Sequence, residues 1–265
     1  MKICFTINPD RTKEEFESFY PLLEDNTFQA VELFYPYDRK KEQFDSYTEC
    51  SKKISKMGKE MVLHLPHGIN NGICRDVDLE KNSLQILKDG CTYASQFGVK
   101  KLTLHLGHID NDHDRSYYIE KCLPNLMELC DHAKKYNQNI MIENMPGDGE
   151  LGYSPDELLE IITRCNRPNL KFIYDTGHGH CSIYKDTDFI YKLKDYLYHL
   201  HYSDNDGSRD AHGPIGSGNI DFNAHFKALA DINYDELHCM EILYHTADDL
   251  RRLVKGFDPY RNYNK

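Results

Sequence analysis

Short apolar or β-branched runs alternate with longer stretches of helical period along the whole chain. The strand-like runs are Lys2–Ile7, Ala30–Tyr35, Glu60–Pro66, Lys101–Gly107, Asn139–Asn144, Leu170–Thr176, Leu197–Asp204 and Glu236–Leu243. Helical patterns fill the gaps over Thr12–Glu24, Arg39–Met57, Asp78–Gln96, Ser116–Tyr136, Ser154–Cys165, Thr187–Lys194, Asn223–Ala230 and Thr246–Lys255. Ser154 precedes a proline and two acids, which is a helix start. Gly58 and Gly98 follow the second and third helices, where a left-handed residue ends a helix. Strands alternating with helices predict right-handed βαβ units on a parallel sheet. Eight such units predict an α/β fold of the (β/α)8 TIM-barrel class, as one domain over residues 1–265. An open doubly wound sheet would carry a Gly-rich first turn, and Ile7-Asn8-Pro9-Asp10 is not one. The polar, Tyr-rich tail Gly256–Lys265 is expected to pack loosely.

Composition narrows the function classes. The net charge of −11 works against tight non-specific nucleic-acid binding. No run approaches the roughly 18 apolar residues of a membrane span. The first strand lacks the apolar region and cleavage site of a secretory signal. The nine cysteines are scattered without a C-x-x-C pair. That predicts free thiols in a cytoplasmic protein, chiefly as small core residues, with Cys181 the more reactive exception. Oligomeric state is left open, a homo-oligomer included.

In a TIM barrel the functional residues sit at the C-terminal strand ends and in the loops that follow. Those ends read Leu63-His64-Leu65-Pro66-His67, Leu104-His105-Leu106-Gly107-His108, Ile142-Glu143-Asn144, Tyr174-Asp175-Thr176-Gly177-His178, His199-Leu200-His201 and Met240-Glu241-Ile242, with Asp210-Ala211-His212 in a loop. Imidazole and carboxylate are the usual ligands of Zn, Mn, Fe or Co. Glu143, Asp175 and Glu241 each interrupt an apolar strand, and converging buried acids repel one another without a cation. The candidate metal ligands are therefore His67, His105, Glu143, Asp175, His178, His201, Asp210, His212 and Glu241. His64 has the opposite strand parity to His67 and is set with Phe34 and Tyr35 as a substrate-pocket residue. His108, His180 and His199 read as structural. No Walker loop or G-x-S-x-G elbow is present. The segment Gly213–Asn219 would either cradle a phosphate or shape the barrel rim.

These motifs, with Gly216-Ser217-Gly218-Asn219-Ile220-Asp221-Phe222, resemble the xylose isomerase-like TIM-barrel superfamily, and the resemblance runs from His67 to Glu241. That group includes sugar phosphate isomerases and epimerases and the endonuclease IV repair enzymes. In the epimerase branch, the resemblance implies one metal, often Mn or Co, on Glu143, Asp175, His201 and Glu241. Glu143 and Glu241 would then be catalytic, shuttling a proton through an enediolate. In the endonuclease IV branch it implies three zinc ions. His67, His105 and Glu143 match one site, Glu143 bridges to Asp175, His201 and Glu241, and His178, Asp210 and His212 match the third. The first two strand loops lack that branch's DNA-contacting segments. The expected activity is therefore a divalent-metal-dependent isomerase or epimerase of a sugar or sugar phosphate, using one to three ions per chain. The alternatives are a trinuclear zinc phosphodiesterase, with abasic DNA as its substrate, and a non-catalytic metabolite-binding barrel.

Overall fold

The structure, a computed structural model, describes residues 1–67, 72–75, 77–110 and 112–264. Its strands are β1 (Lys2–Ile7), β2 (Ala30–Phe34), β3 (Glu60–His64), β4 (Lys101–Leu104), β5 (Asn139–Glu143), β6 (Leu170–Asp175), β7 (Leu197–Tyr202) and β8 (Leu237–Met240). All pair in parallel and in chain order, and β8 returns to β1 through Cys4 opposite Cys239, so the sheet is a closed barrel. The helices between them are α1 (Lys13–Glu17), α2 (Tyr20–Glu24), α3 (Lys41–Lys56), α4 (Val77–Ser95), α5 (Arg115–Lys134), α6 (Pro155–Cys165), α7 (Thr176–Cys181), α8 (Asp186–Lys192), α9 (Phe222–Asp231) and α10 (Ala247–Leu253).

Strand alternation sorts the apolar residues into two cores. Cys4, Ala30, Val62, Met141, Ile173, Leu237 and Cys239 fill the barrel interior. Ile3, Phe5, Ile7, Val31 and Leu33 face outward and pack with the helices. The floor of the barrel is closed by Lys101, which is 5 % exposed. Its Nζ pairs with Glu60 at 2.9 Å and Glu236 at 2.8 Å and lies 4.8 Å from the Tyr198 ring centre. A register shift between β6 and β7 leaves Tyr198 as the extra residue, since Phe172 faces Leu197 and Ile173 faces His199.

Several expectations are corrected. The helix expected over Thr12–Glu24 is two pieces, because Pro21 lacks the N–H that a continuous helix would need there and opens α2 instead. The tail is anchored rather than loose. Val254–Tyr260 forms a 3-10 helix with Val254 and Phe257 buried, and Tyr260 stacks on Phe226 at 4.3 Å. Lys265, the last residue of that tail, lies outside the described residues. Ser154 does cap α6, accepting from Glu157 N at 3.1 Å, and Gly58 and Gly98 have left-handed φ of 69° and 74°.

Candidate metal centre

The polar groups of the barrel collect above the apolar interior layer, at the C-terminal strand ends. Glu143 ends β5, Asp175 ends β6, His201 lies near the end of β7 and Glu241 follows β8. One ligand atom from each lies within 4.8 Å of the others. His201 Nδ1 is 3.1 Å from Glu143 Oε1 and 2.8 Å from Glu241 Oε2. Asp175 reaches the same place because its other oxygen caps α7, accepting from His178 N at 2.6 Å. Asn144 clamps that turn by bonding both the Asp175 carbonyl and its N–H. Asp175 Oδ2 is left buried and without a hydrogen-bond partner. An orphaned carboxylate oxygen facing three other ligand side chains fits a cation.

Two further groups of donors surround this one. His64, His105 and Glu143 also bring ligand atoms within 4.8 Å. His105 Nε2 is 3.0 Å and His64 Nε2 3.7 Å from Glu143 Oε2. The parity argument that kept His64 out of the ligand set does not carry, because β3 ends at His64 and His67 sits beyond it in a loop. His67 has its ring 5.1 Å from that of His105 and lines the cavity beside them. On the other flank, Asp210 Oδ2 is 3.3 Å from His178 Nε2 and 2.8 Å from His212 Nε2. Both rings direct Nδ1 to a carbonyl: His178 to Asn144 O at 2.8 Å and His212 to Glu241 O at 3.0 Å. Those bonds hold the protons on Nδ1 in the neutral rings and leave Nε2 free to ligate.

The electrostatics show how strongly these groups depend on one another. Burial pushes Asp175 up to about 6, although the neighbouring His178 opposes it, and Glu143, Asp210 and Glu241 add to the rise. Burial also opposes ionisation of Glu241, but the adjacent His201 holds it down at about 2. The bond to Asp210 raises His212 to about 9. Burial and the facing rings of His64 and His105 lower His67 to about 3.

A cavity of about 500 Å³ opens beside the centre. Phe34 and Tyr35 line it with His64, His67, His212 and Glu241. Phe34 stacks on His64 at 4.8 Å. The remaining motifs are structural. The N–H groups of Gly213, Gly216, Asn219 and Ile220 are all taken by Asp204 and Asn205, so the Gly-rich loop is a tight turn on the rim rather than a phosphate cradle. Burial pushes the Cys181 thiol up to about 11, with Asp210 and Asp175 adding, so it is not the reactive thiol expected. The other eight cysteines are buried and form no disulfide. The reading of the motifs missed Glu32, an acid deep in β2. Its only sequence signal is a charge inside the apolar run Ala30-Val31-Glu32-Leu33-Phe34.

A sequence model of the xylose isomerase-like TIM barrel matches residues 22–261. The chain belongs to this family. A solved structure described as a D-tagatose 3-epimerase-like protein superposes with a TM-score of 0.80 at 25 % identity, covering 99 % of this chain and 97 % of that one. An uncharacterized protein of Methanocaldococcus jannaschii is 30 % identical over 212 residues, 77 % of this chain and 70 % of the relative. A probable endonuclease 4 of Geobacillus sp. is 31 % identical over 194 residues, 65 % of this chain and 64 % of the relative. The chain thus spans about two thirds of the length of these curated relatives. Among the described residues no helix is long and apolar enough to cross a membrane.

Proposed function

We propose that this protein is a divalent-metal-dependent isomerase or epimerase acting on a sugar or sugar phosphate. The observation that carries this reading is the pair Glu143 and Glu241 flanking His201 Nδ1 at 3.1 and 2.8 Å, with Glu241 open to a sugar-sized cavity. The likeness to a D-tagatose 3-epimerase-like structure supports the same class. Glu143, Asp175, His201 and Glu241 would hold the ion, and Zn, Mn and Co all suit that donor set. When bound, the ion supplies Lewis-acid polarisation of a carbonyl. Glu241 would take the proton from the neighbouring carbon, and Glu143 would deliver a second, solvent-derived proton to the opposite face of the enediolate. Phe34, Tyr35 and His64 form the wall against which the sugar lies. Cysteines that form no disulfide fit a reducing compartment, the cytoplasm.

The test is deuterium incorporation from D2O into a panel of ketoses and their phosphates. Metal-loaded protein should exchange a carbon-bound proton, and Glu143→Gln or Glu241→Gln should slow it by about 10²–10⁴-fold. No exchange with any sugar would exclude this chemistry.

A second reading, a multinuclear metal phosphodiesterase, rests on a different observation. Four histidines, His64, His105, His178 and His201, lie within 3.7 Å of the Glu143 carboxylate. With the group at Asp210, those donors are enough for more than one ion. The 31 % identity to a probable endonuclease 4 supports it. Cleavage of an abasic-site oligonucleotide by protein carrying about three zinc ions would favour this reading over the first.

A further inference from the structure

We infer that Glu32, through His201, is a positioning residue of the metal centre: it fixes which nitrogen of that ring faces the ligand group. The inference rests on the metal reading above and serves either reaction class.

Glu32 points into the barrel one layer below Glu143 and is fully buried. Its Oε1 accepts from Thr103 Oγ1 at 2.7 Å. Its Oε2 lies 2.9 Å from His199 Nε2 and 2.8 Å from His201 Nε2. A carboxylate oxygen only accepts, so both rings must carry their proton on Nε2. For His201 that assignment makes Nδ1, the atom facing Glu143 and Glu241, the nitrogen that gives up its proton and offers its lone pair when an ion binds. The ring is therefore gripped from below and presented to the ion from above. A carboxylate behind a ligating imidazole fixes the ring's tautomer and angle and raises its basicity.

His199 and Thr103 complete the arrangement from the other side. Both are fully buried donors, and they hold the Glu32 carboxylate in one orientation. The His199 ring bonds Glu32 through Nε2 and its Nδ1 has no partner, so its place in the network is to support Glu32. Glu32, His199, His201 and Cys239 also bring ligand atoms within 4.8 Å of one another. Hydrogen bonding accounts for the three side chains at Glu32 without an ion, because each N–H and O–H there already meets a carboxylate oxygen.

The experiment compares the full metal-free chain with Glu32→Gln by titration with Co2+, read by visible absorption and by competition with a chelator. Gln keeps the shape and one acceptor but removes the charge. The variant should bind Co2+ about 10–100-fold more weakly, with shifted absorption bands and an unchanged circular dichroism spectrum. Binding within two-fold of the parent overturns the inference. If the parent takes up no Co2+, the metal reading falls and this inference with it. A measurement on the parent alone covers a variant that does not fold. In the zinc-loaded chain, histidine nitrogen NMR should show His201 protonated at Nε2 and metal-bound at Nδ1. Metal bound at Nε2 of His201 or His199 would overturn the assignment and make the lower group a second ion site.

Discussion

His212 holds a backbone φ of 46°, in the left-handed region that non-glycine residues seldom occupy. The conformation is held on both sides, by the His212 Nδ1 bond to Glu241 O and by the Leu243 N bond to His212 O at 3.0 Å. It brings Nε2 onto Asp210. Such a conformation persists where surrounding bonds over-determine it, and here it aims a ring of fixed tautomer. His212→Asn keeps a residue that tolerates this backbone and removes the ring. If the chain carries more than one ion, elemental analysis should then find one metal equivalent fewer per chain, with the ion at Glu143, Asp175, His201 and Glu241 retained. Unchanged metal content would count against His178, Asp210 and His212 as a separate site. At this scale the motif residues could be read from the chain because polar groups stand out where a strand ends. Glu32 could not, because nothing in the sequence says that a mid-strand acid faces His201 from 169 positions away. The approach of His64 to Glu143 was hidden for a simpler reason: parity stops having meaning once the strand ends.

Among the elements, α7 bears most directly on the centre, since it carries His178 and begins at Asp175. Two glycines let it lie close to the barrel. A Cβ on Gly179 would come within 2.2 Å of Tyr174 Oη, and one on Gly177 within 2.1 Å of Ser203 Oγ. The Tyr174 ring is fully buried and has no room to retreat. Gly179→Ala should therefore destabilise the fold by about 1–3 kcal/mol and loosen metal held by His178, as read by urea denaturation and metal retention. Full stability and retention would show that α7 has space to move. This helix was not legible in the sequence, because Thr-Gly-His-Gly-His has low helix propensity and forms only with the Asp175 cap and the packing against Tyr174. The alternation of strands and helices was legible. The strand ends were read too long wherever ligand residues continue the pattern into a loop, as at His105 and Glu241.

For the molecule as a whole, the closing side of the barrel is fastened by a directed chain of rings, partly buried at Tyr263 and buried beyond it. Tyr263 donates to Tyr234 O at 3.0 Å, so its oxygen accepts from His238 Nε2 at 3.2 Å. His238 Nδ1 then accepts from Tyr202 at 2.9 Å, and Tyr202 accepts from His225 Nε2 at 3.0 Å. The chain needs His238 neutral, because its Nδ1 accepts, and His225 is kept neutral by burial, since its own Nδ1 has no partner. Burial lowers His225 to about 3 and His238 well below its ordinary value, with His225 contributing to the latter. In the unfolded chain each protonates near 6.5. Their contribution is thus complete above about 6.5 and is lost as pH falls toward 3, by about 1.4 kcal/mol per pH unit for each ring. His225→Gln, which can keep the donor to Tyr202, should give a shallower loss of melting temperature between pH 6.5 and 4. Parallel profiles for parent and variant would contradict this account.

The Lys101 floor carries a consequence for traffic. With its ammonium wedged between Glu60 and Glu236 and the apolar layer above it, the barrel is a blind shaft. Among the described residues the centre opens at the far end, through the cavity lined by Phe34, Tyr35, His67 and Leu243 and a smaller one lined by His105, His108 and Asp210. Order of arrival then matters. On the proposed function, an occupant there would be a stopper for whatever lies below it, so the ion would enter first and leave last.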